Sequence, residues 1–83
     1  LSKLGLKTYR LYLRMRSMGV RVESRFRNYI RNHPQIQWYA ELEGSWHYIL
    51  RYSVRDEFEF RKSTDEVLGL FGLYVESKAI GIT

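Results

Sequence analysis

Residues 6–15 read Leu6-Lys7-Thr8-Tyr9-Arg10-Leu11-Tyr12-Leu13-Arg14-Met15. In an extended chain Tyr9, Leu11, Leu13 and Met15 fall on one side. Thr8, Arg10, Tyr12 and Arg14 fall on the other, with Arg16 continuing that row. A period of two with β-favouring aromatics predicts a strand with one apolar face. Its second face is a basic and aromatic row that must meet water, a partner or a ligand.

Ser17-Met18-Gly19 breaks the alternation, and from Val20 the period becomes helical. Val22, Phe26, Tyr29 and Ile30 share one side of that helix, and Arg21, Arg25, Asn28 and Asn32 the other. His33-Pro34 ends it, because the residue before proline resists the α region. Ile36, Trp38, Ala40 and Leu42 then alternate with Gln37, Tyr39, Glu41 and Glu43, predicting a second strand. Gly44-Ser45 supplies a turn into a third strand over residues 46–54, so the two read as an antiparallel hairpin. Either Asp56 or Ser63 caps a second helix, whose apolar positions are Phe60, Val67, Leu68 and Phe71. Gly72 ends it, and residues 75–83 form a last strand. The order β-α-β-β-α-β, with right-handed crossovers, predicts an α+β fold: a ferredoxin-like sandwich with a four-stranded antiparallel sheet and both helices on one face.

The chain has 83 residues, enough for one domain with one core. A hydrophobic share of 45% supplies that core, and a charged share of 28% argues against disorder. There are no cysteines, which removes disulfides, thiolate metal sites and cysteine nucleophiles. No apolar run approaches the roughly 20 residues that span a bilayer, and no signal-peptide core opens the chain, so a cytoplasmic domain without membrane contact is expected. The chain begins with Leu1 rather than Met, which suggests an excised or processed piece.

Net charge is +5, unevenly distributed. Every acid but Glu23 lies beyond residue 31, whereas Lys3, Lys7, Arg10, Arg14, Arg16, Arg21, Arg25, Arg27 and Arg31 lie within the first 31. Such asymmetry points to nucleic acid, to a partner of opposite sign, or to the protein's own acidic half in a homo-oligomer.

Catalytic signals are thin. His33 and His47 lie in different elements; His33 serves the helix-terminal carbonyls or sits in water, and His47 is a candidate base or metal ligand. Two histidines without cysteines rarely build a metal site, so neither a metal nor another cofactor is expected. Glu41 and Glu43 share one side of a strand, suiting acid–base work or a salt-bridge rim. No phosphate loop, nucleophile elbow or zinc-protease motif is present, and an enzyme is not expected. The same fold class includes the RNA-recognition motif. Ser45-Trp46-His47-Tyr48-Ile49-Leu50-Arg51-Tyr52 has aromatics but lacks that motif's glycines and basic start, with Tyr12 or Tyr9 as the matching first-strand aromatic.

The segment Trp38-Tyr39-Ala40-Glu41-Leu42-Glu43-Gly44-Ser45-Trp46-His47-Tyr48-Ile49-Leu50 resembles the central hairpin of the leucine-responsive/AsnC family of prokaryotic regulators, and of its archaeal-type members in particular. Leu4-Gly5-Leu6-Lys7-Thr8-Tyr9-Arg10-Leu11 looks like the family's first strand, Asn32-His33-Pro34 like its helix-ending segment, and residues 73–83 like its final strand. His47 stands where the family has an aspartate that binds an effector's ammonium group or holds a loop amide.

The resemblance implies the effector-sensing and oligomerisation half of a transcriptional regulator. Its partners would be a second copy and a small molecule such as an amino acid, with DNA reached only through an N-terminal helix-turn-helix that this chain lacks. It implies a homodimer, open to further assembly, through the helix-free face, with Arg10, Tyr12, Arg14 and Glu41 at the interface. It places the effector at the glycine turn, among Trp38, Glu43, Gly44, Ser45, Trp46 and His47. Alternatives are an RNA-binding module, an assembly module without ligand, and a tetrapyrrole-processing enzyme like the AsnC-like sirohaem decarboxylases, with His47 as its residue of interest.

Overall fold

The computed structural model describes residues 5–82. Leu4 of the resembling first strand, Lys3 of the basic segment and Thr83, the expected last strand residue, lie outside the described residues. The elements are β1 (Lys7–Met15), α1 (Gly19–Arg31), β2 (Ile36–Glu41), β3 (Tyr48–Val54), α2 (Glu57–Phe71), a 3-10 turn (Gly72–Tyr74) and β4 (Val75–Ile82). The strands form one antiparallel sheet in the order β2-β3-β1-β4, so β1 and β3 are central. This is the ferredoxin-like arrangement that the alternating and helical periods predict.

The core lies between the sheet and the two helices. Tyr9, Leu11, Leu13 and Met15 of β1 are buried, as are Tyr48, Leu50, Tyr52 and Val54 of β3. Phe26 and Ile30 of α1 and Phe60, Val67 and Phe71 of α2 close over them. Phe60 stacks on Tyr9 at 4.5 Å between ring centroids, and its ring meets the edge of Tyr52 at 5.3 Å. Phe26 makes edge contacts with Tyr48 at 4.9 Å and Phe71 at 5.0 Å, joining both helices to the sheet. Each such ring contributes about 1.5–3 kcal/mol from burial alone.

Asp56, the first of the two possible caps, starts α2: its side chain accepts from the Glu59 amide at 2.8 Å. Ser63 lies inside the helix with its hydroxyl on Gln35. α1 ends at Arg31, ahead of Pro34, and the Asn32 side chain donates to the Asn28 carbonyl at 2.9 Å.

Two expectations are corrected. In β2, Ile36 does not share a face with Trp38 and Ala40. The register shifts between Ile36 and Trp38, so Ile36 pairs with Tyr52 on the core side while Trp38 and Ala40 lie opposite Arg51 and Ile49. One extra residue in a strand inverts the face of everything after it. The third strand begins at Tyr48 rather than Trp46. Residues 42–47 form a loop closed by the Leu42 amide donating to the His47 carbonyl at 2.8 Å, because His47 is committed to the end of β1.

Replacing Phe26 by Ala should lower unfolding free energy by about 3–5 kcal/mol in urea titrations. Phe58→Ala, at a side chain 74% exposed, should change it by less than about 0.5 kcal/mol.

Candidate functional site

Three surface features are built by this fold. The first is the helix-free sheet face. β1 contributes Thr8, Arg10, Tyr12 and Arg14; in register beside them lie Ser53, Arg51 and Ile49 of β3 and Gly81, Ala79 and Ser77 of β4. Trp38 and Ala40 of β2 extend the face at one edge. Trp46, from the loop, meets Tyr12 at 6.1 Å, and the Arg51 guanidinium lies 5.1 Å from the Trp38 ring centre. Trp38 is 45% exposed. Arg10, Tyr12 and Arg14 therefore stand together as read from the sequence, and Ile49 and Arg51 join them. The alternation of Ile49, Arg51 and Ser53 against Tyr48, Leu50, Tyr52 and Val54 is the sequence signal for that addition.

Glu41 does not stand with that row. It pairs across from Tyr48, whose ring belongs to the core, and so faces the helices. There the Arg27 guanidinium forks onto both of its carboxylate oxygens, at 2.8 and 3.1 Å, while also reaching Glu23 at 3.2 Å. The Tyr48 hydroxyl donates to Glu23 at 3.3 Å. Burial, with the Glu41 and Glu23 charges adding to it, pushes that phenol up to about 12. Glu43 lies beyond the end of β2, exposed in the loop.

The second feature is a cleft of about 570 Å³ beside the β2–β3 loop. Arg16, Glu23, Glu41 and His47 supply its charged and polar groups; Met15, Val20 and Leu42 supply apolar wall. Of the residues expected at the effector site, His47 alone lines it. Gly44 takes a φ of +110°, so it makes the turn, but Glu43, Gly44 and Ser45 project into solvent. Trp38 and Trp46 belong to the sheet face instead.

His47 ties the β2–β3 loop to the end of β1. Its amide donates to the Leu13 carbonyl and its carbonyl accepts from the Leu42 amide, both at 2.8 Å. Its Nδ1 accepts from the Met15 amide at 2.9 Å, so the ring carries its proton on Nε2. The ring thus holds the backbone amide at the end of β1. Met15 is buried, so losing the acceptor strands its N–H. His47→Ala should cost about 1–3 kcal/mol of unfolding free energy, and His47→Asn, which keeps an acceptor, should cost less in the same urea titration.

The third feature is a groove of about 980 Å³ between α1 and α2. The His33 amide donates to the Ile30 carbonyl at the end of α1 at 3.2 Å, while its ring lies in the groove's wall. Its Nδ1 accepts from the Gln35 amide at 3.1 Å, and its Nε2 faces Glu66 at 3.3 Å. The Tyr29 hydroxyl donates to the same Glu66 oxygen at 2.6 Å. That hydroxyl, then His33, holds the Glu66 carboxyl below the usual carboxylate range. Sequence alone gives no sign of this trio, since Tyr29 and Glu66 are 37 residues apart. Both imidazoles thus have Nδ1 occupied by a backbone amide. Among the described residues no three His, Asp or Glu side chains gather as metal ligands, and no helix is long and apolar enough to cross a membrane.

No protein-family model and no curated protein matches the sequence. Among solved structures, the fold is similar to that of an AsnC family transcriptional regulator from Agrobacterium tumefaciens, with a TM-score of 0.83 at 16% identity. The match covers 96% of this chain and 52% of that one, so the chain spans about half the regulator's length. What the two share, over nearly the whole of this chain, is the fold.

Proposed function

We propose that this chain is the assembly and effector-sensing domain of an AsnC-type transcriptional regulator, and that it pairs with a second copy through the helix-free sheet face. The observation that carries the reading is that face itself. Tyr12, Trp38, Trp46, Ile49, Ala40 and Ala79 form a continuous aromatic and aliphatic surface that neither helix covers. Apolar surface gathered on one face of a small domain is the mark of a binding surface. The resemblance of the sequence to the AsnC family implies a second copy of the same sheet as the partner. Two such faces stacked about 10 Å apart would interdigitate their alternate side chains as sheet sandwiches do. The arginine stems add apolar area while their heads reach the rim.

The effector is placed at the cleft beside the β2–β3 loop. Arg16 is a counter-charge for a carboxylate; Glu23 and Glu41 share the single Arg27 guanidinium, which leaves net negative charge for an ammonium group, with Val20 and Leu42 as apolar wall. That combination suits a small zwitterion such as an amino acid. The cleft joins the end of β1 to the start of α1, so occupancy there bears on the strand that carries the pairing face. Coupling of this kind is reciprocal: pairing must change effector affinity by the same factor.

The RNA-binding alternative draws on the same face, whose exposed indole and three arginines would suit a single strand. The assembly reading is preferred because the fold likeness covers almost the whole chain.

Sedimentation equilibrium should give the mass of a dimer. Ile49→Lys, at the centre of the face, should weaken association by about 1–3 kcal/mol or more, through lost burial and added like charge. A monomer at all concentrations, or an unchanged constant for Ile49→Lys and Tyr12→Ala, overturns the reading. In a thermal-shift screen, an amino acid at millimolar concentration should raise the melting temperature, and Arg16→Ala should abolish the rise. A screen in which no amino acid does so removes the effector assignment.

A further inference from the structure

Arg10 and Arg51 sit directly opposite each other on the two central strands, both on the helix-free face. Like charges in that position of an antiparallel pair repel. Both side chains are half-buried, and the Nε of each is shut off from solvent without a hydrogen-bond partner. Among the described residues, no carboxylate lies within ion-pairing distance of either; Arg14, the next basic side chain of the row, has Glu76 at 3.8 Å. Glu41 and Glu23 are turned to the helix side, where Arg27 takes them up. Among the described residues, the face therefore holds two neighbouring, partly desolvated cations and no counter-charge for them.

The neighbouring strands flank the pair on both sides, β2 beyond Arg51 and β4 beyond Arg10. The Trp38 ring carries the Arg51 guanidinium by a cation–π contact. On the other side, Gly81 opposes Arg10 and leaves room for Tyr12. A Cβ at residue 81 would come within 3.3 Å of the Tyr12 ring and 3.8 Å of the Arg10 Cβ. Only the Nε atoms are closed off, so the outer nitrogens of both guanidinium groups remain open to a ligand. Two such planar forks, carried on opposed positions of neighbouring strands, match an anion with several acceptor oxygens and a charge above one.

We propose that Arg10 and Arg51 together form a receptor for one phosphate group, bound on the helix-free face between β1 and β3. Free inorganic phosphate and the phosphate of a nucleotide share that chemistry. A nucleotide would in addition find Trp38 and Tyr12 as neighbouring aromatic surface. Binding neutralises the repulsion within the pair. It also removes the repulsion that two copies of the face would meet on pairing, a consequence that rests on the assembly reading above.

The test is a titration of the full chain with sodium phosphate, with sodium chloride holding ionic strength constant. Tryptophan emission and the arginine Nε–H signals in nuclear magnetic resonance are the readouts. A saturable response at millimolar phosphate is expected, weakened about tenfold or more in Arg10→Gln and in Arg51→Gln. Arg51→Lys, which keeps the charge but not the fork, should fall between, and melting curves of each variant confirm folding. Adenosine monophosphate binding more tightly than inorganic phosphate would identify a nucleotide site, and equal affinities a phosphate site. A response that chloride alone reproduces, or that survives in the Arg10→Gln/Arg51→Gln double variant, overturns the proposal. Light scattering on the same samples separates the two readings. A monomer that binds phosphate leaves the receptor standing and the assembly reading overturned. A dimer indifferent to phosphate does the reverse.

Discussion

Both helices cover the same side of a four-stranded sheet, and that constraint decides what every strand residue is free to do. β1 and β3 pair on both edges, and their side chains divide strictly between two environments. The set facing the helices is Tyr9, Leu11, Leu13 and Met15 with Tyr48, Leu50, Tyr52 and Val54, all buried. The alternate set has no helix over it. Its composition, aromatic and basic rather than uniformly polar, is what gives the domain a surface with something to bind.

The ends of this sandwich are closed by polar groups acting as fasteners. At one end His47 links β1 to the β2–β3 loop through its ring, its amide and its carbonyl. Along the helix side, Glu66 gathers the Tyr29 hydroxyl and His33, joining α1 and its exit to α2. Because Nδ1 of each imidazole accepts from a backbone amide, both histidines are fixed in orientation and act on the fold before they act on any ligand. Buried polar groups tied this way specify one arrangement, since losing an acceptor strands a desolvated donor.

Charge follows the same division. The acids of the β2–β3 region look like natural partners for the first strand's arginines, yet Glu41 faces α1 and is satisfied by Arg27. The excess of basic side chains in the first 31 residues is thus partly neutralised on the helix side and, on the sheet face, met by Glu76 at Arg14. There Arg10 and Arg51 stand opposed, each with a shielded Nε that lacks an acceptor. Surface ion pairs contribute little, but an unpaired cation that has lost part of its water is a standing demand for an anion.

The order of elements, the buried half of β1 and the apolar side of each helix were determined by the sequence alone. Each follows from a local period, two for strands and 3.6 for helices, that holds in any tertiary context. The basic-aromatic row of Arg10, Tyr12 and Arg14 was legible for the same reason. The face of Trp38 was decided only by the tertiary structure. The register shift after Ile36 arises from pairing with β3, and no local pattern announces a bulge. The partners of Glu41, His47 and His33 were likewise beyond the sequence, because hydrogen bonds between residues 14 to 33 positions apart depend on how the sheet brings segments together. The opposition of Arg10 and Arg51 also required that register: two positions 41 apart become neighbours only once β1 and β3 pair.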